Sequence, residues 1–140
     1  NGVEFAAEKR LSTNWTAYGN FSYIYGQDLD LDEPLSRIPP TQGVVGLRWR
    51  NSEKYEFVDI YSWLVDTQDR LNFQDVSDGR IPDGGTPGYG TISVRYGTEL
   101  KDHHLLRIEL ENILDKAYRV HGSGVDGAGF SANIQYAFEF

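Results

Sequence analysis

Four carboxylates crowd into the six residues from Asp28 to Glu33: Asp28, Asp30, Asp32 and Glu33. Oxygen donors at that density invite a hard cation such as Ca²⁺. The spacing departs from a helix–loop–helix calcium loop. Glu33 stands where the turn glycine belongs, and Pro39 where the bidentate glutamate belongs. A solvated acidic loop is the expected reading. His103 and His104 are adjacent and His121 stands apart. A zinc site needs three or four convergent ligands, so solvated or lumen-lining histidines are expected. The stretch Gly122–Gly129, GSGVDGAG, lacks the helix start that phosphate cradles use. With no Cys, thiolate nucleophiles, disulfides and cysteine-held metals are excluded. No spacing sets a base beside a nucleophile or pairs two carboxylates. Neither an enzyme, nor a catalytic or metal-ligating residue, nor a cofactor is expected.

The elements that must carry these residues are strands. A length of 140 residues allows one domain. The net charge of −8 counts against nucleic acid, which demands a basic stripe. Aromatics make up 14% of the chain and there are 15 glycines, a composition of strands and turns. The absence of Met leads to the expectation of a processed or excised piece. The first residues lack the apolar core of a signal peptide. No apolar run approaches the roughly 18 residues of a spanning helix, but a spanning strand needs only about 9–11 alternating ones.

Apolar residues recur at period two, which predicts seven strands. They run over about Gly2–Arg10, Trp15–Gly26, Gln42–Arg50, Tyr55–Asp66, Tyr89–Glu99, His104–Asn112 and Phe130–Phe140. Connections alternate short and long, and the strands exceed the usual five or six residues. One wall is apolar, with Val45, Leu47, Ile92, Val94, Ile108 and Phe138. The other is charged, with Glu4, Glu8, Arg48, Arg50, Arg95, Arg107, Glu109 and Glu111. It is either a permeation wall or, as favoured here, a ladder of cross-strand ion pairs. Long strands, alternating loops and terminal aromatics match an outer-membrane barrel, with lipid on the apolar side. The fourth strand resists assignment, because Tyr55, Phe57, Tyr61, Trp63 and Val65 oppose Val58, Ile60 and Leu64. A bulge or a lumenal contact would account for it.

The segment Glu111–Phe140 resembles the end of TonB-dependent outer-membrane receptors. The resemblance rests on Asn112, Ile113, Leu114, Asp115, Lys116 and Tyr118, then the Gly-rich loop, then the terminal Phe140. PLSRIPPTQGVVGLRW at Pro34–Trp49, QDRL at Gln68–Leu71 and RIPDGGTPGY at Arg80–Tyr89 resemble further family segments. The resemblance implies an all-β, antiparallel up-and-down meander of about seven strands within a 22-stranded transmembrane barrel. It also implies a bacterial outer-membrane location and active uptake of a scarce nutrient: siderophore-bound iron, haem, cobalamin or carbohydrate. Residues 1–140 would then be the C-terminal barrel segment, with the plug domain and earlier strands absent. The implied partners are the TonB complex, the outer-membrane assembly machinery, lipid and the nutrient. Ile134, Tyr136, Phe138 and Phe140 would form the assembly signal, and Arg119 and His121 would meet cargo in the last outer loop. Two open strand edges would make the isolated piece self-associate. The rivals are a small soluble ligand-binding barrel with its apolar face inward, and a porin-like barrel.

Overall fold

A computed structural model describes residues 1–101 and 103–138. Seven strands form one antiparallel meander: β1 (Gly2–Arg10), β2 (Trp15–Ile24), β5 (Gln42–Arg50), β6 (Glu56–Val65), β7 (Tyr89–Lys101), β8 (His104–Glu111) and β9 (Ser131–Phe138). Each pairs with the next in that order, so β1 and β9 are open edges and the barrel is not closed within this segment. Two small elements that period-two patterning misses lie in the long loops. One is the ribbon of β3 (Gln27–Asp28) and β4 (Glu33–Pro34). The other is a five-residue helix, α1 (Phe73–Ser77). No described helix is long and apolar enough to cross a membrane, which says nothing about strands.

Helix α1 forms because Asn72 closes its first turn. The Asn72 side chain accepts from the N–H groups of Gln74 (2.9 Å) and Asp75 (3.0 Å), and Asp75 reaches back to the Asn72 N–H. This reciprocal cap satisfies donors that so short a helix otherwise leaves bare.

Packing is inverted relative to a soluble protein. Val65, Ile81 and Tyr89 are the only buried apolar side chains among the described residues, whereas Asp59, Gln68, Asp75, Thr86, Thr91, Ser93, Thr98 and Asn112 are buried polar ones. Val3, Phe5, Phe21, Val45, Leu47, Ile60, Leu64, Ile134, Tyr136 and Phe138 are exposed. A contiguous apolar sheet face of this kind marks an interaction surface, and in a meander of long strands the partner is lipid. Trp15 and Trp49 sit opposite each other on it at the short-turn end. Indole rings there form part of an interfacial girdle.

Register settles the fourth strand. Asp59 pairs with Arg48 on one side and Arg95 on the other, so Phe57, Asp59, Tyr61, Trp63 and Val65 share the polar face. Val58, Ile60, Ser62 and Leu64 take the outer face. No register shift is needed: the ladder from Glu56 to Val65 is continuous.

Candidate functional site

The polar face carries a transverse row of charge. Reading across β5 to β9, the row is Arg48, Asp59, Arg95, Glu109 and Asn133. Signs alternate, and each cation meets a carboxylate. Arg48 donates through Nε (3.1 Å) and Nη2 (2.8 Å) to Asp59 Oδ2, and Tyr18 Oη donates to Asp59 Oδ1 (2.9 Å). Arg95 donates to Glu109, which also accepts from Tyr61 Oη at 3.0 Å. The guanidinium of Arg48 lies 4.9 Å from the Tyr18 ring centroid, and that of Arg95 lies 5.2 Å from Tyr61. Asp59 is fully buried, at 0% exposure. A carboxylate taken from water is tolerated only when its acceptor sites are filled, and three donor contacts fill them here. The ladder of ion pairs expected from sequence is present in this row. Glu111 departs from it, accepting instead from Ser131 Oγ at 3.2 Å.

At the long-loop end the lumen narrows around aromatics. Trp63 and Tyr118 both pack against Tyr89, with centroids 5.3 Å and 4.5 Å away. Tyr118 belongs to the sequence segment Asn112–Tyr118, and the structure explains that segment physically. Asn112 sits at φ 47°. Its Nδ2 donates to the carbonyls of Lys116 (2.9 Å) and Ala128 (3.1 Å), while its Oδ1 accepts from the Lys116 N–H (2.9 Å). Asp115 accepts from the Phe130 N–H (2.9 Å), fixing the entry to β9. Tyr118 lies across Gly127, where a Cβ would come within 2.2 Å of its ring. Asn112→Ala strands two buried carbonyls and is expected to cost the last loop about 1–3 kcal/mol of local stability. Protease nicking between residues 115 and 129 should rise accordingly, and unchanged nicking would contradict this role.

The three long loops are tied together. Arg37 N–H donates to Asp75 (3.0 Å), and Gln68 Nε2 donates to the Ile38 carbonyl (2.8 Å). Gln68 and Thr86 exchange backbone hydrogen bonds, closing the second loop on itself. Thr86 Oγ1 lies 2.9 Å from His121 Nδ1, joining the second loop to the third. His121 Nε2 is buried with no partner. Arg37, Arg80, Trp63, Tyr89, Val120 and His121 line a recess of about 220 Å³. The recess is close to charge-balanced. Arg80 pairs with Asp78 at 2.6 Å, Arg37 approaches the same carboxylate at 3.9 Å, and the Arg80 guanidinium holds the Asp78 carboxyl below the usual carboxylate range.

Burial lowers the His121 pKa, partly offset by Asp75 and Asp78. A histidine with a depressed folded pKa contributes its full stability above the unfolded value of about 6.5 and loses it as pH falls below that. The loops are therefore expected to loosen on acidification. Hydrogen exchange across residues 66–88 should quicken at about pH 5 relative to about pH 7.5, and His121→Gln should remove that difference. Equal exchange in the two buffers would contradict it.

Other sequence expectations find these places. Arg119 pairs with Asp126 at 2.7 Å within its own loop and does not line the recess, whereas His121 does. Asp28 accepts from the N–H groups of Asp30 (2.9 Å) and Leu31 (3.1 Å), so the acidic stretch is a turn cap. Among the described residues, no three His, Asp or Glu side chains converge as a metal site. His104 departs from the solvated or lumenal expectation. It sits on the outer face, its Nδ1 2.5 Å from Tyr136 Oη and its ring 4.8 Å from that of Phe138. The cause is register, since His104 is opposite Phe138 on the apolar side. Ile134, Tyr136 and Phe138 share that outer face, and Phe140 lies outside the described residues.

The family model for the TonB dependent receptor-like β-barrel matches residues 1–113. Most of the Glu111–Phe140 stretch lies beyond that match. Among solved structures, the copper transporter OprC superposes with a TM-score of 0.83 at 22% identity, over 99% of this chain and 22% of that one. At that identity the likeness shows the fold alone. The chain spans about a fifth of the length of the structure it matches, 22%. No curated protein matches the chain.

Proposed function

The chain belongs to the TonB-dependent receptor β-barrel family, and from that premise we propose that it is the C-terminal wall segment of an outer-membrane active transporter. One observation carries the reading: the sheet exposes its apolar side chains and buries its charged ones, with Asp59 fully enclosed. A soluble ligand-binding barrel needs the reverse arrangement. In the complete protein, cargo would bind at the outer loops and at a plug domain inside the barrel. TonB would engage from the periplasm, and movement of the plug would open the path. The seven strands supply wall, the three long loops supply part of the outer mouth, and His121 and Arg119 are the residues of this segment proposed to meet cargo there. Ile134, Tyr136, Phe138 and Phe140 are proposed as the assembly signal, added as a strand to an exposed edge of the assembly machinery.

The cargo is a scarce nutrient. Siderophore-bound iron, haem, cobalamin and carbohydrate remain the proposed classes. Copper, carried by the structural neighbour, is a further class, although this chain has no Cys or Met to offer a soft ion. The test is growth on each limiting nutrient, with the full-length gene deleted and with TonB deleted. Loss of one uptake activity in both strains is expected. Uptake that survives TonB deletion would contradict the proposal and favour a porin-like barrel.

Beta-strand edges left open pair with other chains. The isolated 140-residue chain is accordingly expected to need detergent or to self-associate, as light scattering would record. A monodisperse monomer in plain buffer would contradict that.

A further inference from the structure

Below the charge-balanced row, toward the short turns, lies a row that is not balanced. Across β5 to β9 it reads Arg50, Phe57, Gly97, Arg107 and Gln135. It has a cation near each end and no acid. The neighbouring cations are already committed: Arg48 to Asp59, Arg95 to Glu109 and Lys54 to Glu56. Arg50 and Arg107 form no ion pair with any described residue, and both are exposed. The only side-chain hydrogen bond of Arg107 within the described residues is to Tyr55 Oη, at 3.2 Å. Glu99, one position further down β7, accepts from the His103 N–H.

Between the two arginines the floor is flat and apolar. The Phe57 ring lies across Gly97, where a Cβ would fall 2.3 Å from its nearest carbon. Three strand spacings, about 14 Å, separate the backbones of Arg50 and Arg107. Both line a recess of about 600 Å³ on the lumenal face. In a chain of net charge −8, a lumenal row with two uncommitted guanidiniums is a local reversal of sign. Its complement is an extended stretch of polypeptide bearing carboxylates, wide enough to span both cations and dry enough to lie on Phe57.

We propose that this row seats an acidic segment of the polypeptide that the receptor encloses inside its barrel. The proposal rests on the receptor reading above and adds the place and the charge of one contact. Arginine suits that contact because its planar fork binds carboxylate at two points. Bound there, the carboxylates would complete the alternation that the row above achieves internally.

The test uses the full-length receptor in detergent. Arg50→Lys and Arg107→Lys each place an amine in the row, and a water-soluble carbodiimide joins amines to touching carboxylates without a spacer. Mass spectrometry is expected to find each introduced amine joined to an Asp or Glu of the enclosed domain. Joining only to Asp59, Glu56 or Glu109, or to nothing, would overturn the proposal. A second variant guards against a misleading null result. Arg50→Glu/Arg107→Glu sets like charges together, which costs at least enough to raise hydrogen exchange in the seated segment about tenfold. Unchanged exchange throughout the enclosed domain would equally overturn it. Nutrient uptake separates this proposal from its premise: TonB-dependent uptake without such a cross-link defeats the seat alone, and TonB-independent uptake defeats the receptor reading.

Discussion

Asp59→Ala is expected to lower the stability of the folded receptor by about 3–5 kcal/mol, the usual penalty for breaking a buried ion pair from one side. The size follows from what is left behind. Arg48 would lose both hydrogen bonds to Oδ2, Tyr18 would lose its acceptor, and the guanidinium would stay inside the wall. Arg95 suffers less, because Glu109 still holds it. Removing both charges should be milder. Arg48→Met/Asp59→Leu fills the space with apolar atoms and leaves no uncompensated ion, so most of the loss should return. Urea unfolding of the receptor, followed by the heat-dependent gel mobility of folded barrels, measures both variants. A single-variant loss below about 1 kcal/mol, the range of exposed pairs, would mean that water reaches Asp59 and that the row is not a structural strut.

The second large effect lies on the opposite face. Ile60 is at the middle of β6, points away from Asp59 and is 46% exposed. Ile60→Arg is expected to cost about 2–4 kcal/mol, as a cation near the bilayer midplane does. Gln135→Arg, on the lumenal face of β9, should cost less than about 1 kcal/mol, as a solvated substitution does. The two variants add the same side chain, so helix or strand propensity cannot explain a difference between them. Equal losses would contradict the assignment of faces.

Much of the sheet was legible because period-two alternation is a local signal. The predicted bounds Gly2–Arg10 and Gln42–Arg50 coincide with β1 and β5. The alternating short and long connections, likewise, gave the up-and-down order. Beta6 was illegible because its lumenal phase is apolar toward the outer mouth. Trp63 and Val65 face Tyr89 and Tyr118 there, residues 24 or more positions away in sequence, and no local pattern records such a meeting. Helix α1 was missed for a different reason. Five residues give no periodicity, and only the Asn72–Asp75 capping box marks it.

Among the candidate residues, the arginines and carboxylates of the ladder were visible as a set but not as rows. Register decides that Arg48 meets Asp59 while Arg50 meets Phe57, and a shift of one residue would exchange the faces. Asn112 was quoted only as part of a recognisable segment. Its work as a loop clamp depends on Lys116 and Ala128 folding back over it. His104 was misplaced because two adjacent histidines at a strand start leave the phase open. One of them must face outward, and its opposition to Phe138 decides which.

The central claim is that the apolar face of this wall meets lipid. Single cysteines placed in turn from Ile92 to Tyr96 in a receptor otherwise free of cysteine, spin-labelled and reconstituted in vesicles, test it most directly. The account predicts that collisions with oxygen, which concentrates in lipid, peak at 92, 94 and 96. Collisions with a water-soluble nickel complex should peak at 93 and 95. The opposite phase, or no alternation along β7, would contradict it.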